Sequence, residues 1–261
     1  VNSSLPSSGR RLASISAFFP AYNDGGTIAS MVVSTLMTLR DCADDYEVIV
    51  VNDGSEDYTG DLLDELARLH APRLRVIHHA GNRGYGAALR TGFEAARMEW
   101  IFYTDGDAQY DPRELRVLVA KCMARREAVD VVNGYKISRN DPVVRRVIGR
   151  VYHQVVKLLF GFQLRDVDCD FRLIRRSVFE RVQLRSDSGA ICLEMVKKMQ
   201  DAGFRFAEAP VHHFHRAFGR SQFFNVSRVW RTFVQVSSLW LELVWRAPGR
   251  NAWLARRLPI K

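Results

Sequence analysis

An α/β fold with a mostly parallel sheet is predicted by three features of the chain. Five short apolar runs alternate with helix-length segments up to residue 134. The runs are uniformly apolar instead of alternating with polar residues, which suits strands covered on both faces. Because strand and helix take turns, right-handed crossovers and parallel pairing follow.

Taken in order, the predicted strands are ISAFF (15–19), EVIVVN (47–52), LRVIH (74–78), WIFYT (100–104) and DVVNG (130–134). β-Branched and aromatic residues dominate them, as a pleated and buried surface requires. Helices are predicted between them at about 27–41, 58–70, 85–98 and 113–127. After residue 140 the pattern changes. A helix over about 143–160 leads to an Asp-rich turn (LRDVDCD, 164–170) and a short strand, FRLI (171–174). A helix near 189–202, a strand at 204–209 and a long helix at 225–246 complete the ordered part. Residues 1–13 are Ser-rich and basic and read as a frayed arm. The body is then 14–224, with residues 225–261 as an amphipathic helix and basic tail.

At 261 residues the chain can bury one substantial core. A composition 47% hydrophobic and 26% charged excludes wholesale disorder. The formal charge of +9, from 38 Lys and Arg against 29 Asp and Glu, suits an anionic partner. Nucleic acid, a phosphorylated substrate and an acidic membrane surface all meet that description. The four cysteines form no CxxC pair, which argues against a zinc site or disulfide framework and for a reducing, cytosolic setting. No apolar stretch reaches the length of a spanning helix. His212, His213 and His215 lack partner ligands at metal-site spacing, so strand packing or phosphate contact is expected of them. Nothing in the composition bears on self-association, and a homo-oligomer stays open.

In open α/β sheets ligands bind beyond the carboxyl ends of the strands. The first strand ends in PAYND (20–24), the second in NDGS (52–55) and the fourth in TDGDAQ (104–109). Together they bring Asp24, Asp53, Asp105 and Asp107 to one rim. Asp105 and Asp107 flank a glycine, so both carboxylates can approach one hard cation, Mg²⁺ or Mn²⁺, with Gln109 as a third ligand or a holder of water. An EF-hand loop fails, since its sixth and twelfth positions would be Tyr110 and Arg116. GNRGYGAALRTG (81–92) opens the third helix, where Gly84 and Gly86 are expected to bring backbone amides to an anion.

The ordered set PAYND, VNDGS, NRGYGAA, DGDAQ, DCDFRLIRR and HRAFGRSQF resembles family 2 glycosyltransferases. More narrowly, it is similar to the dolichol-phosphate mannose synthase and polyprenyl-phosphate glycosyltransferase branch, over about residues 14–224. The resemblance implies the GT-A, nucleotide-diphospho-sugar transferase fold. It further implies that Pro20, Tyr22, Asp24 and Asp53 hold the donor nucleotide, with Asn82, Gly84 and Gly86 nearby. Asp105, Asp107 and Gln109 would hold the metal on the diphosphate. Lys136, Arg145, Arg172, Arg216 and Ser221 would bind an acceptor phosphate. Asp24 stands where the family usually has Glu, and Gln222 where it has Lys.

The implied reaction is an inverting transfer of a hexosyl group from a GDP- or UDP-sugar to a polyprenyl phosphate. A phosphate acceptor is already anionic and needs no strong base. A saccharide hydroxyl, the alternative acceptor, needs a carboxylate to take its proton, with Asp170 first and Asp168 second. The final helix has an apolar stripe, three Trp and flanking Arg, which suits peripheral contact with the inner face of a membrane. A non-enzymatic nucleic-acid binder would leave the strand-end aspartates unexplained, so no nucleic-acid partner is expected.

Overall fold

The computed structural model describes residues 11–124, 128–139, 154–215 and 234–246. The strands are β1 (Leu12–Ala21), β2 (Ala43–Asn52), β3 (Leu74–His78), β4 (Trp100–Thr104), β5 (Val131–Arg139), β6 (Phe171–Arg175) and β7 (Phe206–His213). Between them lie α1 (Ile28–Cys42), α2 (Thr59–Leu69), α3 (Tyr85–Ala95) and α4 (Leu115–Ala124). A helical segment α5 occupies 154–160, α6 is Ile191–Asp201, and α7 covers 234–245, its last turn (Leu241–Trp245) wound as a π-helix.

All seven strands form one sheet in the order β3-β2-β1-β4-β6-β5-β7. β1 runs parallel to β2 and β4, β2 to β3, and β5 to β7. β6 alone is reversed, antiparallel to both β4 and β5. Reversal brings the start of β6 to the rim where the other strands end.

Both faces of the sheet are covered, which explains the unbroken apolar runs. Phe18 and Phe19 are adjacent in β1 and both fully buried. Phe19 enters the core beneath α1, α2 and α4, while Phe18 enters the one beneath α3 and α6. There Phe18 stacks on Tyr103 with centroids 5.6 Å apart and meets the edge of Phe93 at 4.9 Å. Burying each ring contributes roughly 1.5–3 kcal/mol. A third core joins α5, α6 and α7 through Phe160, Leu193 and Leu239.

Local chemistry sets the approach to α4. Asp111 accepts from the Arg113 amide ahead of Pro112, a capped single turn that leads into α4. The strands at 74–78 and 100–104 lie where the pattern put them. β1 begins earlier than expected, at Leu12, because that side chain is buried and the chain pairs with β2 from Ala43 onward. α3 ends at Ala95 instead of 98, since Arg97 and Met98 give their amides to Ser16. All four cysteines are free thiols.

Candidate active site

The carboxyl ends of β1, β2 and β4 lie side by side, and the loops after them are tied together. Asn23 takes its amide to Ser55 and accepts from the Glu56 amide, joining the first loop to the second. Thr27, just before α1, donates its hydroxyl to the Gly106 carbonyl at 2.9 Å, joining the first loop to the DGD turn. Pro20 and Asp24 are buried in this junction, while Tyr22 is 37% exposed at its mouth.

Asp53 is 3% exposed. Its Oδ1 pairs with His79 Nδ1 at 2.6 Å and accepts from the Arg83 amide, and its Oδ2 accepts from the Gly84 amide. The anion at the start of α3 is therefore the protein's own carboxylate. The expectation that Gly84 and Gly86 offer amides to a ligand needs correcting: Gly84 N–H goes to Asp53, and Gly86 N–H goes to the Asp187 carbonyl at 2.9 Å. Both glycines instead make room for backbone. A Cβ on Gly84, at φ +94°, would sit 2.5 Å from the Asp187 carbonyl oxygen, and one on Gly86 2.2 Å from that of Ser186. Asn82 is exposed on the turn before them.

Asp105 and Asp107 stand in the DGD turn at the end of β4, with Asp107 buried. Tyr85 donates its hydroxyl to Asp105 Oδ1 at 2.8 Å. Burial first, then the charges of Asp170 and Asp107, push the Asp105 carboxyl well above the usual aspartate range. A divalent cation between these carboxylates would reverse that penalty, and hard cations take oxygen ligands. The residues thus fit Mg²⁺ or Mn²⁺. Among the described residues no three His, Cys, Asp or Glu side chains gather as a ligand set, so substrate oxygens and water would complete the shell. The Gln109 side chain is drawn towards Phe214: its Nε2 donates to the Phe214 carbonyl, while the main-chain carbonyl of Gln109 accepts from the Phe214 amide.

Asp170 enters the same rim from the start of β6. It accepts from Cys192 Sγ at 3.0 Å and Tyr103 Oη at 3.4 Å, and its Oδ1 lies 3.6 Å from Arg172. Its side chain retains 20% exposure. Burial, reinforced by Asp170, pushes the Cys192 thiol well above its ordinary value, which keeps the S–H as a donor. Asp168 lies two residues earlier, its carbonyl bound by Lys136 Nζ at 2.8 Å.

Arg172 was expected at an acceptor phosphate and is instead internal, with 1% exposure. Its Nε donates to Asn133, Nη1 to the Tyr103 hydroxyl and Nη2 to the Val167 carbonyl. An inward-facing β6 residue flanked by two strands has no route to solvent. Of the other expected acceptor groups, Lys136 reaches the rim from β5, whereas Arg145, Arg216 and Ser221 lie outside the described residues, as does Gln222. His212 pairs with Glu114 and His213 packs its ring on Tyr110, as strand packing requires. His79, Tyr85 and Cys192 were not anticipated; only Tyr85, inside the NRGYG motif, carried a local signal.

Comparison with known proteins agrees with this geometry. Glycosyl transferase family 2 matches residues 16–183. Glycosyltransferase AglD of Haloferax volcanii is 36% identical over 205 residues, covering 76% of this chain and 32% of that protein. Undecaprenyl-phosphate 4-deoxy-4-formamido-L-arabinose transferase of Shewanella sediminis is 29% identical over 213 residues, covering 80% and 61%. The chain thus spans about a third of the first relative and about three-fifths of the second. Glucosyl-3-phosphoglycerate synthase from Mycobacterium tuberculosis, solved with Mn²⁺, uridine diphosphate and glucosyl-3-phosphoglycerate, superposes with a TM-score of 0.66 at 18% identity. The match covers 88% of this chain and 79% of that one. That likeness is one of fold, the GT-A fold expected from the motifs. By the match over residues 16–183, the chain belongs to glycosyl transferase family 2.

Proposed function

We propose that this glycosyltransferase moves a hexosyl group, with inversion, from a GDP- or UDP-sugar to a polyprenyl phosphate at the cytosolic face of a membrane. The observation that carries the reading is the convergence of Asp105, Asp107 and Asp170 on the rim beside the β1 and β2 loops. Tyr22, Asp24 and the turn at Asn82 form the donor side. Asp53 acts there by holding that turn. Asp105 and Asp107 hold Mg²⁺ or Mn²⁺, which when bound offsets the charge of the leaving diphosphate.

In the transfer, the bond from the anomeric carbon to the diphosphate oxygen breaks as the bond to the acceptor oxygen forms on the opposite face. The electron pair leaves with the nucleoside diphosphate. No enzyme nucleophile is needed, and an anionic phosphate acceptor needs no proton removed. Lys136, with Arg145, Arg216 and Ser221, is assigned to the acceptor side. The fixed Asp170 carboxylate supports a second reading, with a saccharide hydroxyl as acceptor and Asp170 as its base.

A lipid acceptor is supported by the outer surface of α5 and α7. Val155, Leu158, Val234, Leu241 and Trp245 are all exposed there, and Trp240 ties the two helices by donating to the Leu159 carbonyl. Apolar exposure with interfacial Trp on a chain of charge +9 suits an anionic membrane surface. No helix among the described residues is long and apolar enough to cross one. In this reading residues 14–224 are assigned to catalysis and 225–261 to membrane contact, through the exposed Val234, Leu241 and Trp245 among the described residues. The test is release of nucleoside diphosphate from GDP- and UDP-sugars with and without polyprenyl phosphate. Lipid-dependent release is expected; its absence with every common donor would remove the lipid acceptor.

A further inference from the structure

Tyr85 occupies an unusually fixed place. It is the first residue of α3 and stands between two glycines whose missing side chains admit the 186–187 backbone. On one side Gly86 N–H binds the Asp187 carbonyl; on the other, Asp53 takes the amides of Arg83 and Gly84 and is itself held by His79. His79 is in turn bonded to Thr91 of α3 at 3.0 Å. The first turn of α3 is thus clamped from two directions. Its tyrosine hydroxyl reaches across 20 positions of sequence to Asp105 Oδ1, at 2.8 Å. Asp105 has the carboxylates of Asp170, Asp107 and Asp24 around it, all of which repel its charge. A neutral donor on a rigid mount thus meets a carboxylate whose charge its neighbours repel.

We infer that Tyr85 is a positioning residue for the cation at Asp105 and Asp107, setting the geometry in which Asp105 meets the cation. The inference rests on the metal reading above. Hydrogen bonds that orient a ligating carboxylate typically change metal affinity by about 10- to 100-fold when removed. The same clamp links the turn at Asn82 to the metal carboxylate, so donor loop and cation site are built as one unit.

The test is binding of Mn²⁺ alone, and of Mn²⁺ with UDP or GDP, followed by the paramagnetic resonance signal of free Mn²⁺. The parent, Tyr85→Phe and Asp105→Asn are compared, with thermal midpoints measured alongside. Tyr85→Phe keeps the ring and removes only the hydroxyl, so it should stay folded and bind Mn²⁺ at least about 10-fold more weakly in the presence of nucleotide. Asp105→Asn should lose joint binding. If Tyr85→Phe binds Mn²⁺ as the parent does, or loses thermal stability with no change in affinity, Tyr85 is a packing residue and the inference fails alone. If the parent shows no joint binding of Mn²⁺ and either nucleotide, the metal reading fails and takes the inference with it.

Discussion

Asp105 and Asp170 come together because β4 and β6 are antiparallel. Thr104 pairs with Phe171 in the ladder, so the next residue of one strand meets the preceding residue of the other. After burial, the charge of Asp170 is the largest influence raising the Asp105 carboxyl. Two acidic groups 65 positions apart in sequence therefore share one end of the sheet, and their mutual repulsion is part of the folded state.

That repulsion has a pH signature. Asp105 titrates above its ordinary value of 3.8 in the folded chain, so between the two values the folded state retains a proton that the unfolded chain has lost. Stability of the metal-free protein should accordingly fall as pH rises through that window. Asp105→Asn carries no charge and should melt at a higher temperature than the parent at neutral pH in the presence of chelator. The difference should vanish as the pH approaches 3.8. A variant less stable than its parent at neutral pH would contradict this.

Asp170→Asn separates the two acceptor readings. With a phosphate acceptor the turnover rate should fall by less than about 10-fold, since no proton must be removed. A general base contributes about 10²- to 10⁴-fold. A drop of that size in single-turnover rate would transfer the assignment to a hydroxyl acceptor.

Arg172→Met should unfold the chain more readily by roughly 3–5 kcal/mol, measured by denaturant titration. The substitution leaves the Asn133 oxygen and the Val167 carbonyl without their buried donor and removes the cation 3.6 Å from the Asp170 carboxylate. An unchanged stability with a raised KM for acceptor would instead place the guanidinium at the substrate.

Gly86→Ala should destabilise by about 1–3 kcal/mol, because the new methyl meets backbone that cannot rotate away. Gly81→Ala, five residues earlier, meets nothing within 4 Å and should stay within about 0.5 kcal/mol of the parent. Equal effects at the two positions would show that the 186–187 backbone does not press on α3.

Much of this protein is legible in local pattern. Largely apolar runs at 47–52 and 100–104 announce strands covered on both sides, and the polar residues at their ends announce the rim, since both signals depend only on near neighbours in sequence. The family is legible for the same reason: its motifs are contiguous. Tertiary structure alone decided that β6 is reversed, that Asp170 thereby meets Asp105, and that Arg172 turns inward to Tyr103 and Asn133. It also decided that Asp53 and the 186–187 backbone occupy the amides of the glycine turn. Each of these is a pairing between residues far apart in sequence. Strand direction and side-chain facing arise from packing the whole sheet, so no window of a few residues contains the energy that selects them.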